Sequence, residues 1–272
     1  MCLVLKVSRS RYYDWCRDPE SARARETRRL DADIRRLFKA HKGRSGSPKI
    51  THLLRQKGWC VGENRVANRM RAMGLRSKVW RAYRTTTDSR HAHPVAPDRL
   101  ERNFTAQRPD QVYVSDLTYI RTRSGWLYLT VVLDLYSHRV VGWALSDSLS
   151  HDAVLKALRR AIARRRPSRG LVFHSDRGVQ YACVSFRQVL IDHGFLASMG
   201  RKGDPWDNAV AESFFRILKS ELVYHTMWEG YTDAHRDLFE YLEVYYNRER
   251  IHSTLGWITP AQFESQTVKA AA

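Results

Sequence analysis

The spacing of apolar positions changes near residue 110. Before that point they recur at helical intervals; after it they run or alternate as strands do. Over residues 20–41, Leu30, Ile34, Leu37 and Phe38 mark one side of a charged helix with Arg on its other faces. "GRSGSPKI" breaks the pattern, with Ser47 as a cap and Pro48 opening a second helix, "PKITHLLRQKG", closed by Gly58. A short turn leads to "ENRVANRMRAMG", ended by Gly74. The result is helix, short turn, helix. Upstream, "VSRSRYYDW" reads as the turn and second helix of a helix-turn-helix, with too few residues before it to supply a first helix. Residues 85–108 have little periodicity and two prolines and read as a linker.

Beyond residue 110, "QVYVSDLTYI", "WLYLTVVLDLYS" and "RVVGWALS" predict three consecutive strands in an antiparallel meander. "SHDAVLKALRRAIARRR" is a helix whose buried side carries Ala153, Leu155, Leu158 and Ile162. "LVFHSD" is a short buried strand, "CVSFRQVLIDHG" a helix ended by Gly194, and "FLASMG" a fifth strand. "DNAVAESFFRILKSELV" is a helix capped by Asp207 or Asn208. The order β-β-β-α-β-α-β-α predicts an α/β fold with a mixed sheet and helices packed on it. The expected organisation is a basic helical region over 1–84, a linker over 85–108, the mixed-sheet core with a C-terminal helical extension over 109–266, and a tail over 267–272.

Charge sharpens this division. The chain of 272 residues carries 47 Lys+Arg against 28 Asp+Glu, net +19, and residues 1–100 alone account for +16. A polycationic helical part beside a nearly balanced one points to nucleic-acid binding joined to a working part. Arg65, Asn68, Arg69 and Arg71 lie on the second helix of the helix-turn-helix pattern, and Arg and Asn are the side chains that pair bidentately with guanine and adenine edges. The four cysteines, Cys2, Cys16, Cys60 and Cys183, form no CxxC pair, which argues against a zinc finger or disulfide scaffold and for a reducing cytoplasm. No apolar run approaches the roughly 20 residues of a membrane span.

Three acids stand at telling places. Asp116 interrupts the first strand, Asp176 ends the fourth, and Glu212 lies in the helix after the fifth, with 35 residues between Asp176 and Glu212. A strand fixes Asp116, a strand's C-terminal end puts Asp176 at the sheet edge where open α/β sites form, and Glu212 can lean toward both. Hard oxygen ligands of this kind hold paired Mg²⁺ ions, which activate one phosphodiester oxygen and stabilise another. Asp134, before a tight turn, reads as a turn residue; Asp204 falls in a loop, and His174 as a packing residue or a proton carrier. No P-loop, GxGxxG or Ser-His-Asp arrangement is evident.

This arrangement resembles the DDE catalytic core of retroviral integrases and transposases. The phrases "HSDRGVQY", "GRKGDPWDNAVAESFF" and "YNRERIHSTLGWITPAQF" are more specific, and resemble the second-reading-frame transposase of the insertion-sequence-three family over nearly the whole chain. The resemblance implies an RNase H-like fold for the core. It implies Asp116, Asp176 and Glu212 as catalytic and metal-binding residues, with two Mg²⁺ (Mn²⁺ substituting). It sets Lys219, two helical turns after Glu212, against terminal DNA. Arg248 and Arg250 are candidate phosphate contacts. The implied partners are double-stranded DNA (terminal inverted repeats and target), further copies of the chain on DNA, and an upstream reading-frame product joined by frameshifting. The implied location is the cytoplasm, nucleoid-associated when DNA-bound. A metal-dependent nuclease without strand transfer and a non-catalytic regulator are the alternative readings.

Overall fold

The N-terminal helices form where apolar spacing puts them. The computed structural model describes residues 2, 4, 8–17, 20–78, 96–101, 103–200 and 208–271, the side chains of 268–271 excepted. Helix α1 spans Arg9–Arg17, α2 Ala22–Ala40, α3 Ser47–Gln56 and α4 Glu63–Ala72. The Ser21 side chain caps α2 by accepting the Ala24 N–H at 3.2 Å. Ser47 is not the cap of α3 but its first residue; Gly46 holds the extended cap position. Gly58 and Gly74 follow α3 and α4 in left-handed conformations, as helix stops do. Leu30, Ile34, Ile50, Leu54, Val66 and Met70 form the core between α2, α3 and α4. Helix α1 buries none of its residues.

The chain divides into two units, Met1–Val79 and Trp80–Ala272. In the second, the stretch from Ala96, expected as linker, is already bound to the core. The Arg99 N–H donates to Ser198 Oγ at 2.9 Å, and Leu100 is buried among core side chains. Apolar side chains at Leu100, Phe104 and Ala106 explain the docking, and linker composition around them obscured it.

A five-stranded sheet follows: β1 Val112–Thr122, β2 Gly125–Asp134, β3 Val140–Ser146, β4 Val172–Ser175 and β5 Leu196–Met199. Its order is β3-β2-β1-β4-β5. The first three strands form the expected antiparallel meander, and β1–β4 and β4–β5 are parallel. Alternation along β1 sends Val112 and Val114 to one face and Tyr113 to the other. Helices α5 His151–Arg165, α6 Val179–Ala182 and α7 Val184–Asp192 cover the Tyr113 face. Helices α8 Ala209–Glu221 and α9 Tyr231–Phe239 cover the other. This is the RNase H-like mixed sheet. The short α6 and a π-helix that continues α9 over Glu240–Glu249 have no counterpart in the predicted elements. Helix α10, Pro260–Ala271, takes in most of the expected tail.

Strand β3 is an edge, so its outward backbone groups have no neighbouring strand and side chains meet several of them. The Asn247 amide binds both backbone groups of Val140, accepting from its N–H at 2.9 Å and donating to its carbonyl at 3.0 Å. Arg160 donates to the Trp143 carbonyl at 2.8 Å and the Tyr231 hydroxyl to that of Leu145 at 3.5 Å. Asn247 in the "YNRERIH" phrase is therefore structural.

A buried ionic cluster ties α10 to the sheet. Arg165 bonds Asp110 at 2.8 Å and Glu264 at 2.9 Å, and lies 3.6 Å from Asp134. Asp134 is a turn residue, as read: its carboxylate accepts the N–H groups of Asp110 and Tyr136. Burial raises Asp134 to about 6 despite those two bonds. A raised carboxyl pKa means the folded chain holds more protons than the unfolded one between about pH 4 and 6, so stability falls as pH rises through that window. Replacing Arg165 with Met leaves three carboxylates without their shared cation. We expect a loss of about 3–5 kcal/mol at pH 8, shrinking as pH falls toward 4, measured by denaturant titration of Arg165→Met and the parent.

Candidate active site

Parallel pairing of β1 with β4 builds the site. Ser115 and Ser175 are in register, so Asp116 and Asp176, the next residue in each case, leave adjacent strands at the same level, roughly 4.8 Å apart along the hydrogen-bonding direction of the sheet. Asp116 is half-buried, hemmed in by protein on the side away from solvent. Burial pushes its carboxyl well above the usual range, and the charges of Asp176 and Glu212 add to this; the Leu117 N–H bond and the Lys219 charge oppose it. The structure thus brings Asp176, Glu212 and Lys219 within electrostatic reach of Asp116. Among the described residues, no three His, Cys, Asp or Glu side chains stand close enough to enclose a metal ion as they are.

Local bonds fix each acid. Asp116 Oδ1 accepts the Leu117 N–H at 2.7 Å. Asp176 Oδ1 accepts the Gly178 N–H at 2.9 Å, and a Cβ at Gly178 would lie 2.9 Å from that same oxygen, so a side chain there would press on the carboxylate. Glu212 sits in the first turn of α8, where the helix dipole favours a negative charge; burial raises its pKa. Lys219 is half-buried on the same helix, its pKa lowered by burial and supported by Asp116.

Helix α8 is held to β1 beside Asp116. Asn208 occupies its N-cap position without a side-chain cap bond; its amide instead donates to the Ser115 carbonyl at 3.4 Å. Asp204 and Asp207 lie outside the described residues. Beneath the acids, Ser115 Oγ meets the Tyr181 hydroxyl at 2.9 Å, and burial, then the Asp116 and Asp176 charges, raise the Tyr181 pKa. Neither Asn208's link nor Tyr181 was legible beforehand; the Gly of "DRG" was the one available signal. His174 is buried, with Nδ1 2.9 Å from Ser198 Oγ, and packs between β4 and β5.

Two predicted DNA contacts are placed otherwise. Arg250 is buried, not on the surface: it bonds both carboxylate oxygens of Glu221 near the end of α8, at 3.0–3.2 Å. Burial alone would lower its pKa, and the Glu221 charge reverses that into a rise. The Tyr241 hydroxyl also donates to Glu221 at 2.8 Å. Arg69 is half-buried and forks onto Asp31 of α2 at 2.8 and 2.5 Å, clamping α4 to α2. Arg71 and Asn68 are exposed and bond each other at 2.8 Å, Arg65 pairs with Glu26 at 3.0 Å, and Arg248 is exposed.

Residues 24–83 match the HTH-like domain family, and residues 106–205 and 193–260 match two integrase core domain families. The chain is 39% identical over its whole length to the whole of the insertion element IS600 uncharacterized 31 kDa protein of Shigella sonnei. It is 37% identical to transposase InsF for insertion sequence IS3A of Escherichia coli (strain K12), over 98% of this chain and 94% of that one. A simian T-cell lymphotropic virus intasome structure superposes with a TM-score of 0.51 at 17% identity, covering 85% of this chain and 74% of that one, a likeness of fold. Among the described residues no helix is long and apolar enough to cross a membrane.

The Glu221–Arg250 pair yields a prediction. Glu221→Gln strands a buried guanidinium and should cost about 3–5 kcal/mol, while Glu221→Gln with Arg250→Met should recover most of it. A thermal denaturation series of the two single variants and the double variant measures this.

Proposed function

The chain belongs to the IS3 family of insertion-sequence transposases, and we propose that its chemistry runs at Asp116, Asp176 and Glu212. It is a DNA transposase, a polynucleotidyl transferase with an integrase core. The observation that carries the assignment is the register of β1 with β4, which sets a half-buried Asp116 beside Asp176, with the charges of Glu212 and Lys219 on α8 also reaching Asp116. Three carboxylates with one half-buried lysine leave excess negative charge, and all-oxygen donors suit hard divalent cations. These acids would hold two Mg²⁺, or Mn²⁺ in their place, which supply activation of the attacking oxygen and stabilisation of the leaving one.

The chain's own residues supply position. Asp116 is set by its strand, Asp176 by the Gly178 turn, and Glu212 by the tie between Asn208 and Ser115. Lys219 neutralises terminal phosphate. Water attacks the phosphorus at an element end, the bond to the 3′ oxygen breaks, and a 3′-OH and a 5′-phosphate result. The 3′-OH then attacks a second phosphodiester and displaces its 3′ oxygen. We expect no covalent protein–DNA intermediate. In line with the family resemblance, the freed end joins the other end on the same strand and a circle follows.

Recognition of the terminal repeats falls to the helical unit. Exposed Asn68 and Arg71, with Arg65, are the base-reading candidates on α4; Arg69 acts as their brace through Asp31. Exposed Arg248 is a phosphate contact, and Arg250 is withdrawn from that role. Helix α1 leaves Tyr13 and Trp15 more than half exposed; this supports a partner for that segment, and the upstream reading-frame product is the one proposed.

Asp116→Asn, Asp176→Asn and Glu212→Gln should each abolish nicking and strand transfer while sparing DNA binding, and EDTA should stop the parent until Mg²⁺ is restored. Gel assays on end-labelled duplexes test this; metal-dependent cleavage in any of the three would sink the assignment, and cleavage without joined products would leave a nuclease. Arg71→Ala should weaken end binding by about 1–3 kcal/mol and relax its sequence preference. Affinity of the parent should fall steeply with salt in anisotropy titrations; a salt-insensitive complex would contradict the phosphate contacts.

A further inference from the structure

The sheet face covered by α5, α6 and α7 has an uncovered end. Tyr113, Ser115 and Leu117 of β1, and Val132 and Thr130 of β2, lie beneath those helices, buried or nearly so. The same two rows continue outward as Tyr119 and Arg121 on β1 and as Tyr128 and Trp126 on β2, paired across the strands. Here the cover ends. Trp126 is 52% exposed, Arg121 is exposed, and both tyrosines are half-buried. The rings form one continuous group: Tyr119 meets Tyr128 at 5.3 Å and Trp126 at 6.4 Å, both edge-on, and the Arg121 guanidinium lies 5.7 Å over the indole.

Cross-strand aromatic pairing explains part of this, since such pairs stabilise a hairpin by about 0.2–1 kcal/mol. It does not explain why the largest ring faces solvent, or why its immediate neighbour is a cation. A contiguous apolar patch at the surface marks a binding site. Its position narrows the ligand. Asp116 lies three residues before Tyr119 on the same strand, roughly 10 Å along it. It points to the opposite face, but β4 ends at Ser175, in register with Ser115, so the part of β1 that carries Tyr119 and Arg121 runs on past the strand end from which Asp176 emerges. The patch therefore borders the acids at the open end of the sheet. Aromatic faces beside arginine suit nucleobases, which stack on rings only when they are unpaired.

We propose that Tyr119, Trp126 and Tyr128, with Arg121, form a stacking platform for unpaired bases at the DNA end being processed. This rests on the reading of the acids as the site of DNA chemistry. Duplex DNA hides its base faces and would meet the patch only through phosphates, so the platform distinguishes opened ends from closed ones.

The test compares two duplexes carrying an element end, one blunt and one with its last three base pairs unpaired by mismatch, bound without divalent metal and followed by anisotropy. Trp126→Ala should bind the blunt duplex as the parent does and lose about 5–100-fold on the opened one; Trp126→Phe should keep most of that affinity. Arg121→Gln should shift in the same direction by less. A 2-aminopurine in the opened segment should be quenched by the parent and not by Trp126→Ala. Equal affinity of Trp126→Ala and parent for both duplexes, or equal loss on both, overturns the platform. Unchanged DNA affinities with a change in sedimentation would make the patch a contact between copies of the chain and also overturn it. Failure of the parent to bind even blunt duplex would instead overturn the reading on which the proposal rests.

Discussion

The parallel contact between β1 and β4 is the constraint on which the site depends. A parallel pair aligns like ends of two strands, so residues that follow matched positions emerge side by side. Here they are two aspartates. Setting two carboxylates together in a partly desolvated place is unfavourable, and the surrounding fold maintains it. Helix α8 is tied by Asn208 to the carbonyl just before Asp116, and the Glu221–Arg250 pair fastens its far end to the C-terminal extension. The acid site is thus bracketed at both ends of one helix, and Glu212 and Lys219 both ride on it.

That bracket gives the "YNRERIH" phrase a physical role. Asn247 satisfies the backbone of β3, and Arg250 neutralises Glu221 beneath the tyrosines of the π-helix. The wider turn of a π-helix is rare and marks places under local demand; here it leaves Tyr241, Tyr245 and Tyr246 all buried against the sheet. Its arginines read as phosphate contacts, yet of its seven residues only Arg248 and Glu249 are exposed.

Periodicity carried the strand order, the helices of the basic unit and the turn role of Asp134, because each depends on neighbours in sequence. The placement of Asp116 near Asp176 was legible because a parallel strand pair turns two local readings into one spatial fact. The fates of Arg69 and Arg250 were not. Each is decided by a carboxylate 38 or 29 residues away, and an arginine reads the same in sequence whether it meets phosphate or a buried glutamate. The docking of Leu100 was hidden for a related reason: one apolar residue among prolines and charges has no period.

An edge strand is ordinarily an invitation to another chain. Along β3 the outward carbonyls of Val140, Trp143 and Leu145 already receive donors from Asn247, Arg160 and Tyr231. With those acceptors occupied, and the Val140 N–H with them, a foreign strand would have to displace three side chains to extend the sheet on this side. The consequence is local: this edge of the sheet is closed by the chain's own side chains, where another protein would need a neighbouring strand or a covering loop to do the same.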